Sequence, residues 1–127
     1  MLRLIVMVAV VYLSNIEVAR AYSGMELLRG CTQALKMAAG EHFEPEEAVH
    51  AGRCAGYVSG IMDLNQVVLA VRGRSMALFC TPERGVENAQ LIRIVLKRLV
   101  DNPADLHQPA RLNVVLALRQ AFPCPER

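Results

Sequence analysis

The stretch from Pro45 to Gly73 reads PEEAVHAGRCAGYVSGIMDLNQVVLAVRG and decides the fold. Its opening proline is favoured at the first helical position, and the two glutamates that follow complement the positive end of a helix dipole. Gly73 is a typical residue after a helix because it tolerates positive φ. Apolar residues recur between these ends at spacings of three and four, so the stretch predicts one helix of about seven turns. The residues predicted to face inward are Val49, Cys54, Tyr57, Val58, Ile61, Leu64, Val68 and Val71.

Three glycines, Gly52, Gly56 and Gly60, lie four residues apart on this predicted helix. Each costs about 1 kcal/mol relative to alanine in a helix interior, so their spacing predicts a smooth stripe on which another helix or backbone packs closely. Membrane helix dimers use the same spacing, but the charged residues of this segment do not suit lipid. Because Asp63 sits among apolar residues, we expect it to bond to a neighbouring helix or to cap a loop.

Shorter helices are predicted on both sides of this one, again from apolar residues at spacings of three and four. Ser23 and Glu26 form a capping-box pattern before the first of them, and Gly40 is suited to end it. The predicted helices span residues 24–39, 87–100 and 110–121, with a loop at 73–86 and a short capped turn at 102–105. Their predicted inward residues are Leu27, Leu28, Cys31, Leu35 and Ala38, then Leu91, Ile94, Val95 and Leu99, then Leu112, Val115, Leu116 and Leu118. The predicted fold is all-α, a single small domain of about four to five helices.

The first 21 residues have the layout of a secretory signal peptide. Arg3 supplies a positive charge, residues 4–13 are apolar, and Ala19 and Ala21 place small residues before the expected cut after Ala21. Ten apolar residues are too few to span a bilayer, which needs about 20. We therefore expect residues 22–127 to be exported as one domain. No later stretch is expected to be apolar for long enough to span a membrane, so no membrane association is expected after cleavage.

Composition and motifs argue against nucleic-acid binding and against catalysis. The formal net charge is +2 and tryptophan is absent, so neither a basic patch nor a base-stacking platform is expected. No hydrolase elbow, phosphate loop or zinc-protease motif occurs, and no histidine accompanies a nucleophile in a recognised motif. Only His50 and Cys54 have a spacing like that of metal ligands, whereas a structural zinc site needs four ligands. We therefore expect no catalytic residue, no metal and no cofactor.

Four cysteines, Cys31, Cys54, Cys80 and Cys124, follow the predicted signal peptide. An even number of cysteines in a small exported chain normally forms disulfides, and four allow three pairings. Cys31 and Cys54 lie in the middle of consecutive predicted helices, whereas Cys80 and Cys124 lie just outside helices. These positions favour the pairs 31–54 and 80–124 without excluding the other two pairings.

Several short strings follow one another in an order seen in a known family. They are Cys31, Cys54-x-Gly56-Tyr57-Val58-x-Gly60-x-x-Asp63, Cys80-x-Pro82, Gln90-Leu91 with Val95, Asn102-Pro103 with Leu106-His107, Ala117-Leu118 and Ala121-Phe122-Pro123-Cys124. In this order the chain resembles the Rap/Tai family of immunity proteins over nearly all of residues 22–127. Two places depart from the family pattern: Glu87 stands where a small or hydroxyl residue is frequent, and the loop at 72–79 has no matching signature.

The resemblance implies a function, a partner and a location. Rap/Tai immunity proteins are small, exported, all-helical proteins of Gram-negative bacteria, and they inhibit peptidoglycan amidase toxins delivered by the type VI secretion system. They look like homodimers that plug the amidase cleft. The resemblance therefore implies occlusion rather than chemistry, a toxin partner and a location in the periplasm. The residues that the resemblance assigns to the scaffold motif are Gly56, Tyr57, Gly60 and Asp63.

The loop after the long helix is the candidate plug. The residues predicted to bind the toxin are Arg72, Arg74, Ser75 and Met76, with Gln90 and Arg93 of the third helix nearby in sequence. The alternative is an ordinary solvated loop, anchored by half-buried Met76, Leu78 and Phe79. A second function also stays open: a small disulfide-stapled periplasmic binding or chaperone-like protein without a toxin partner, which would expose an apolar patch on acidification.

Overall fold

Four α-helices and one 3₁₀ turn follow one another along residues 21–125, the part of the chain that this computed structural model describes. The helices are α1 (Gly24–Ala38), α2 (Pro45–Arg72), α3 (Asn88–Asp101) and α4 (Ala110–Ala121), and the 3₁₀ turn is Pro103–Asp105. Within residues 21–125 the only β pairing is an isolated bridge between Ser23 and Pro109. The all-α prediction is therefore confirmed. The predicted signal peptide, apart from Ala21, lies outside the described residues.

The helix ends lie where the local sequence signals place them. The Glu26 amide donates to Ser23 Oγ at 3.3 Å, and the Ser23 amide donates to Glu26 Oε2 at 2.9 Å, which completes the capping box of α1. Gly40 and Gly73 both have positive φ, at 76° and 75°, after α1 and α2. α2 begins at Pro45 as predicted. Caps are set by residues close in sequence, so these ends could be predicted within one residue.

The core forms where α1 lies against α2 and α3, and α4 closes it. Side chains from all four helices are buried there: Leu27, Cys31, Cys54, Val58, Leu91, Val95, Leu99, Val114 and Leu118. A disulfide joins Cys31 of α1 to Cys54 of α2, with the two Cα atoms 5.1 Å apart. A second disulfide joins Cys80 to Cys124, with the Cα atoms 4.8 Å apart. This is the pairing that the helix positions favour.

The inward stripe predicted for α2 is wrong at three positions. Val49, Leu64 and Val71 have 68%, 58% and 70% of their surface exposed. An ideal helix turns about 100° per residue, so Val49 lies roughly 140° around the helix from Cys54, on the far side from the core. The last buried residue of α2 is Asn65, so Val71 lies beyond the part of the helix that the core covers.

The close packing predicted for Gly52, Gly56 and Gly60 is also wrong. A Cβ added at any of the three would meet no described atom within 4 Å. The glycine at the helix contact is Gly30 of α1, where an added Cβ would lie 2.6 Å from the carbonyl oxygen of His50. The Cys31–Cys54 disulfide, one residue away, holds α1 and α2 together at this point.

The inward face of α4 is rotated relative to the prediction. Leu112 and Leu116 are exposed, and the buried residues are Ala110, Asn113, Val114, Ala117 and Leu118. The Asn113 side-chain amide donates to the Asp105 carbonyl at 3.2 Å, so a polar residue takes an inward position and the register shifts. The first helix differs only at its end, where Ala38 is exposed.

Candidate partner-binding surface

The segment between α2 and α3 leaves the end of α2 at Gly73, whose φ of 75° turns the chain away from the helix axis. Its first residues form two turns that are closed by long hydrogen bonds. The Met76 amide donates to the Gly73 carbonyl at 3.3 Å, and the Ala77 amide donates to the Arg74 carbonyl at 3.4 Å. Both distances are at the weak end of the range for hydrogen bonds. Residues 73–77 are therefore shaped mainly by how their two ends are held.

Asn65 of α2 holds the far end of this segment. Its side chain is fully buried, its Oδ1 accepts from the Leu78 amide at 2.8 Å, and its Nδ2 donates to the Phe79 carbonyl at 2.9 Å. The Phe79 side chain is itself fully buried in the core. A buried polar side chain of this kind is satisfied, and it also satisfies two backbone groups that have left the helix.

A second anchor follows at once. The Cys80 amide donates to the Phe122 carbonyl at 2.8 Å, and the disulfide ties Cys80 to Cys124 after the end of α4. The Gln66 side chain donates to Thr81 Oγ1 at 3.3 Å. Residues 73–77, called the projecting loop below, are thus held between the end of α2 and a fixed segment at residues 78–81.

All six residues predicted to bind a toxin are exposed. Arg72, Arg74, Ser75 and Met76 are consecutive or nearly so, at the end of α2 and on the projecting loop. Met76 has 63% of its surface exposed, Leu78 is also exposed, and of the expected apolar anchor only Phe79 is buried. The other two predicted residues, Gln90 and Arg93, lie on the exposed side of α3. No hydrogen bond or ion pair within residues 21–125 links these two residues to the loop.

The scaffold-motif residues take different places. Tyr57 packs edge-on against Tyr22, with ring centroids 5.1 Å apart, and the Arg53 guanidinium lies 4.1 Å from the centroid of the Tyr22 ring. Burial raises the pKa of Tyr22, and the positive charge of Arg53 partly opposes that rise. Asp63 is exposed and makes no hydrogen bond or ion pair with any described residue, so the bond expected of it is absent. Asn65, two residues further on, makes the bond to the loop.

The side of α2 that faces away from the core is unusually smooth and apolar. It is made by Val49, Gly52, Gly56, Gly60, Asp63 and Val67, all exposed, and is called the outer face of α2 below. By length and composition alone α2 would suffice to cross a membrane, and only 17% of its most apolar window is buried. The expectation that no later stretch is long and apolar enough is therefore wrong. The outer face nevertheless carries the charge of Asp63 at its middle.

Within residues 21–125 the structure shows neither a cluster of metal-ligating side chains nor a free thiol. No group of three or more His, Cys, Asp or Glu side chains among these residues could hold a metal ion, and all four cysteines are in disulfides. A cavity of about 570 Å³ between α3 and α4 is lined by Lys97 and Arg98, among other residues. Both are paired, Lys97 with Asp101 at 2.6 Å and Arg98 with Asp105 at 3.0 Å, so their charges hold the end of α3 in place.

These observations define a class: a small, all-helical protein, stapled by two disulfides, with an anchored exposed loop and an exposed helix face. A family model described as Rap1a immunity proteins matches residues 23–124. The chain therefore belongs to the Rap1a immunity protein family, which confirms the resemblance seen in the sequence. Its role is that of an immunity protein, which binds a toxin. A search of curated proteins and a search of solved structures find no match to it.

Sequence reasoning missed the two buried asparagines, Asn65 and Asn113. Asn65 lies seven residues after Val58 and eleven after Cys54, a register that puts all three on one side of the helix. A polar residue at such a core position normally bonds to backbone that has left regular structure. That register was the signal that could have identified Asn65 as a loop anchor.

Proposed function

We propose that this protein protects its producer by inhibiting a peptidoglycan amidase toxin of the type VI secretion system, and that it does so by occluding the active-site cleft of the amidase. The observation that carries the proposal is the projecting loop, which stands out from the fold while both of its ends are held. A preorganised loop loses little conformational freedom on binding, so more of its contact energy appears as affinity.

The side chains on the projecting loop, together with Arg72 at the end of α2, suit a cleft lined by polar and acidic groups. Arg72 and Arg74 present guanidinium groups that can form bidentate hydrogen bonds to carboxylates, and arginine is enriched among residues that dominate binding energy. Met76, exposed between them and the anchored segment, is flexible and polarisable and adapts to irregular apolar pockets. Gln90 and Arg93 on α3 would supply a second, separate contact.

We propose further that two copies pair through the outer face of α2. The face is self-complementary when two such helices run antiparallel, because residue numbers that add to 116 then face each other. The facing positions are Val49 with Val67, Gly52 with Leu64, Arg53 with Asp63, and Gly56 with Gly60. Each apolar side chain meets another apolar residue or a glycine, which lets the backbones approach.

The same register gives Asp63 a partner. A carboxylate in the middle of an apolar interface is costly unless it is paired, and this arrangement supplies the opposite charge of Arg53 twice across the two-fold axis. Arg53 is already ordered over the Tyr22 ring, so the pairing orders little additional side chain. The exposed surface of α2 is thus assigned to a second copy of this chain rather than to lipid.

Cysteine cross-linking tests the register. The Val49→Cys/Val67→Cys variant, oxidised at low protein concentration, should form a covalent dimer on a non-reducing gel. The matched control is Val100→Cys/Leu112→Cys, at two exposed positions outside α2, which should stay monomeric. Equal cross-linking of the two variants would contradict the proposed pairing.

We propose a periplasmic location on the basis of the predicted signal peptide, and the two disulfides suit it because disulfides form in oxidising compartments. The fold supports a cut after Ala21. Tyr22, the expected first residue of the exported chain, is part of the fold, because its side chain is buried and its carbonyl accepts from the Ala110 amide at 2.7 Å. N-terminal sequencing of periplasmic protein should start at Tyr22; an intact N-terminus would contradict cleavage.

Co-expression tests the proposed activity. A small amidase encoded next to this chain is directed to the periplasm, with and without the immunity protein, and survival is counted. The wild type should protect, and Arg72→Glu/Arg74→Glu should not. The matched control Arg111→Glu/Arg119→Glu, the same charge change at exposed positions of α4, should protect. Lysis in the presence of wild-type protein would refute the proposal for that pair and favour the alternative of a binding or chaperone-like protein.

A further inference from the structure

We propose that Asn65 is the positioning residue of the projecting loop: its side-chain amide sets where residues 73–77 stand relative to the fold and thereby prepares the loop for its partner. This inference rests on the proposed function of the loop as the toxin-binding element. It concerns a residue that touches no partner itself and acts through the backbone of Leu78 and Phe79.

The geometry is that of a peptide pairing made by a side chain. The amide of Asn65 offers one acceptor and one donor, and it uses the acceptor for the Leu78 N–H at 2.8 Å and the donor for the Phe79 carbonyl at 2.9 Å. Only a side chain with both groups can satisfy both backbone atoms at once. Full burial of Asn65 keeps water from replacing either bond.

The other anchors do not fix the position of the projecting loop. The disulfide holds Cys80, and the buried Phe79 ring holds its own side chain, but neither fixes the direction in which the backbone leaves Leu78 toward Met76. At the start of the loop, the hydrogen bonds of the described residues are the two long turn bonds that the Gly73 and Arg74 carbonyls accept. Asn65 is therefore the side chain, held by a helix, whose hydrogen bond fixes the far end of the loop two residues after Met76.

Loss of the clamp should lower the fraction of molecules whose loop is in the binding conformation. Each backbone residue released from a single conformation lowers that fraction by roughly a factor of ten. Affinity falls by the same fraction, since binding then has to select the competent loop. The loss should appear in the association rate, whereas removal of a contact such as Met76 should appear mainly in the dissociation rate.

The first measurement uses the wild-type protein alone, with both disulfides intact. Backbone amide exchange, followed by NMR, should show a protected Leu78 amide beside freely exchanging amides at residues 74 and 75. Asn65→Leu, which has the same branching and the same number of heavy atoms but neither hydrogen-bonding group, should lose the protection of Leu78. Asn113→Leu is the matched control, because Asn113 is also buried and its amide donates to the Asp105 carbonyl, away from the loop; it should keep that protection.

The second measurement is binding to the purified amidase. Asn65→Leu should lower the association rate about tenfold or more while Asn113→Leu leaves it unchanged, and Met76→Ala should raise the dissociation rate instead. An unprotected Leu78 amide in the wild type overturns the proposal without any variant. So does an Asn65→Leu variant that associates as fast as the wild type. If the wild type does not bind the amidase, the proposed function fails, and the exchange data alone then decide whether Asn65 positions the loop.

Discussion

Replacing Gly30 by alanine probes how closely α1 and α2 are held together. The new Cβ would lie 2.6 Å from the His50 carbonyl oxygen, 3.0 Å from the Tyr22 hydroxyl and 3.3 Å from Cys54 Cβ. The backbone oxygen of His50 cannot move away easily, because the Cys31–Cys54 disulfide holds the two helices at a Cα separation of 5.1 Å beside it. Overpacking of this kind costs about 1–3 kcal/mol.

The net effect is smaller than the overpacking cost, because alanine is the better helix former by about 1 kcal/mol. Because the clash is with a backbone oxygen, the overpacking cost lies at the upper end of its range, and we expect a net loss of about 1–2 kcal/mol. Each kcal/mol lowers the melting temperature by about 4–8 °C in a domain of this size. Thermal unfolding of the oxidised protein, followed by circular dichroism, measures the shift.

Gly52→Ala, measured at a low protein concentration at which the proposed α2 pairing is absent, is the matched control, since its Cβ meets nothing within 4 Å in the single chain. It should gain about 1 kcal/mol from helix propensity alone. The two substitutions should therefore change stability in opposite directions, although both replace a helical glycine by alanine. A Gly30→Ala variant as stable as the wild type would refute the close approach of the two helices.

Three further substitutions test the fold. Replacing Cys31 and Cys54 by alanine opens a loop of 23 residues and should cost about 3.4 kcal/mol in urea unfolding; a loss below about 1 kcal/mol would contradict the role of this disulfide. Asn113→Leu should cost about 1–3 kcal/mol, because the Asp105 carbonyl loses its donor; an unchanged urea midpoint would argue against that bond. Since burial raises the pKa of Tyr22 above 10.0, stability should fall as the pH rises beyond 10, where the unfolded chain ionises first; Tyr22→Phe should weaken that fall.

The helices could be predicted from the sequence because their ends depend on neighbours in the chain. Ser23 and Glu26 cap each other, Pro45 opens α2, and Gly73 ends it with a positive φ. Each of these signals works within about one helical turn and needs no knowledge of what packs against the helix. The same is true of the family resemblance, which depends on short strings in order.

Which faces are buried could not be predicted, because burial depends on partners distant in the chain. α2 has 28 residues while α1 and α3, which pack on it, have 15 and 14, so apolar residues such as Leu64 stay outside the core. In α4, Asn113 turns inward because a carbonyl from another segment needs its amide. Spacing alone gives such a residue to solvent.

Dependence on distant partners also separates what could and could not be predicted of the candidate binding surface. The loop after α2 and its exposed arginines could be chosen from the sequence, since a Gly-bounded polar segment between helices lies at the surface. The anchor of that loop could not, because Asn65 and Phe79 come together only in the fold, 14 residues apart. The sequence predicts a bond from Asp63 to a loop or a neighbouring helix, whereas Asn65 is the residue that bonds to the loop.

Inhibition of the purified amidase tests whether this immunity protein neutralises the enzyme through the projecting loop. Hydrolysis of isolated peptidoglycan by the neighbouring amidase is followed while the immunity protein is titrated in. We predict that hydrolysis stops near one chain of immunity protein per amidase, and that a variant with Arg72, Arg74 and Met76 replaced by alanine no longer stops it. Full hydrolysis at a large excess of wild-type protein, or equal inhibition by the loop variant, would contradict the claim.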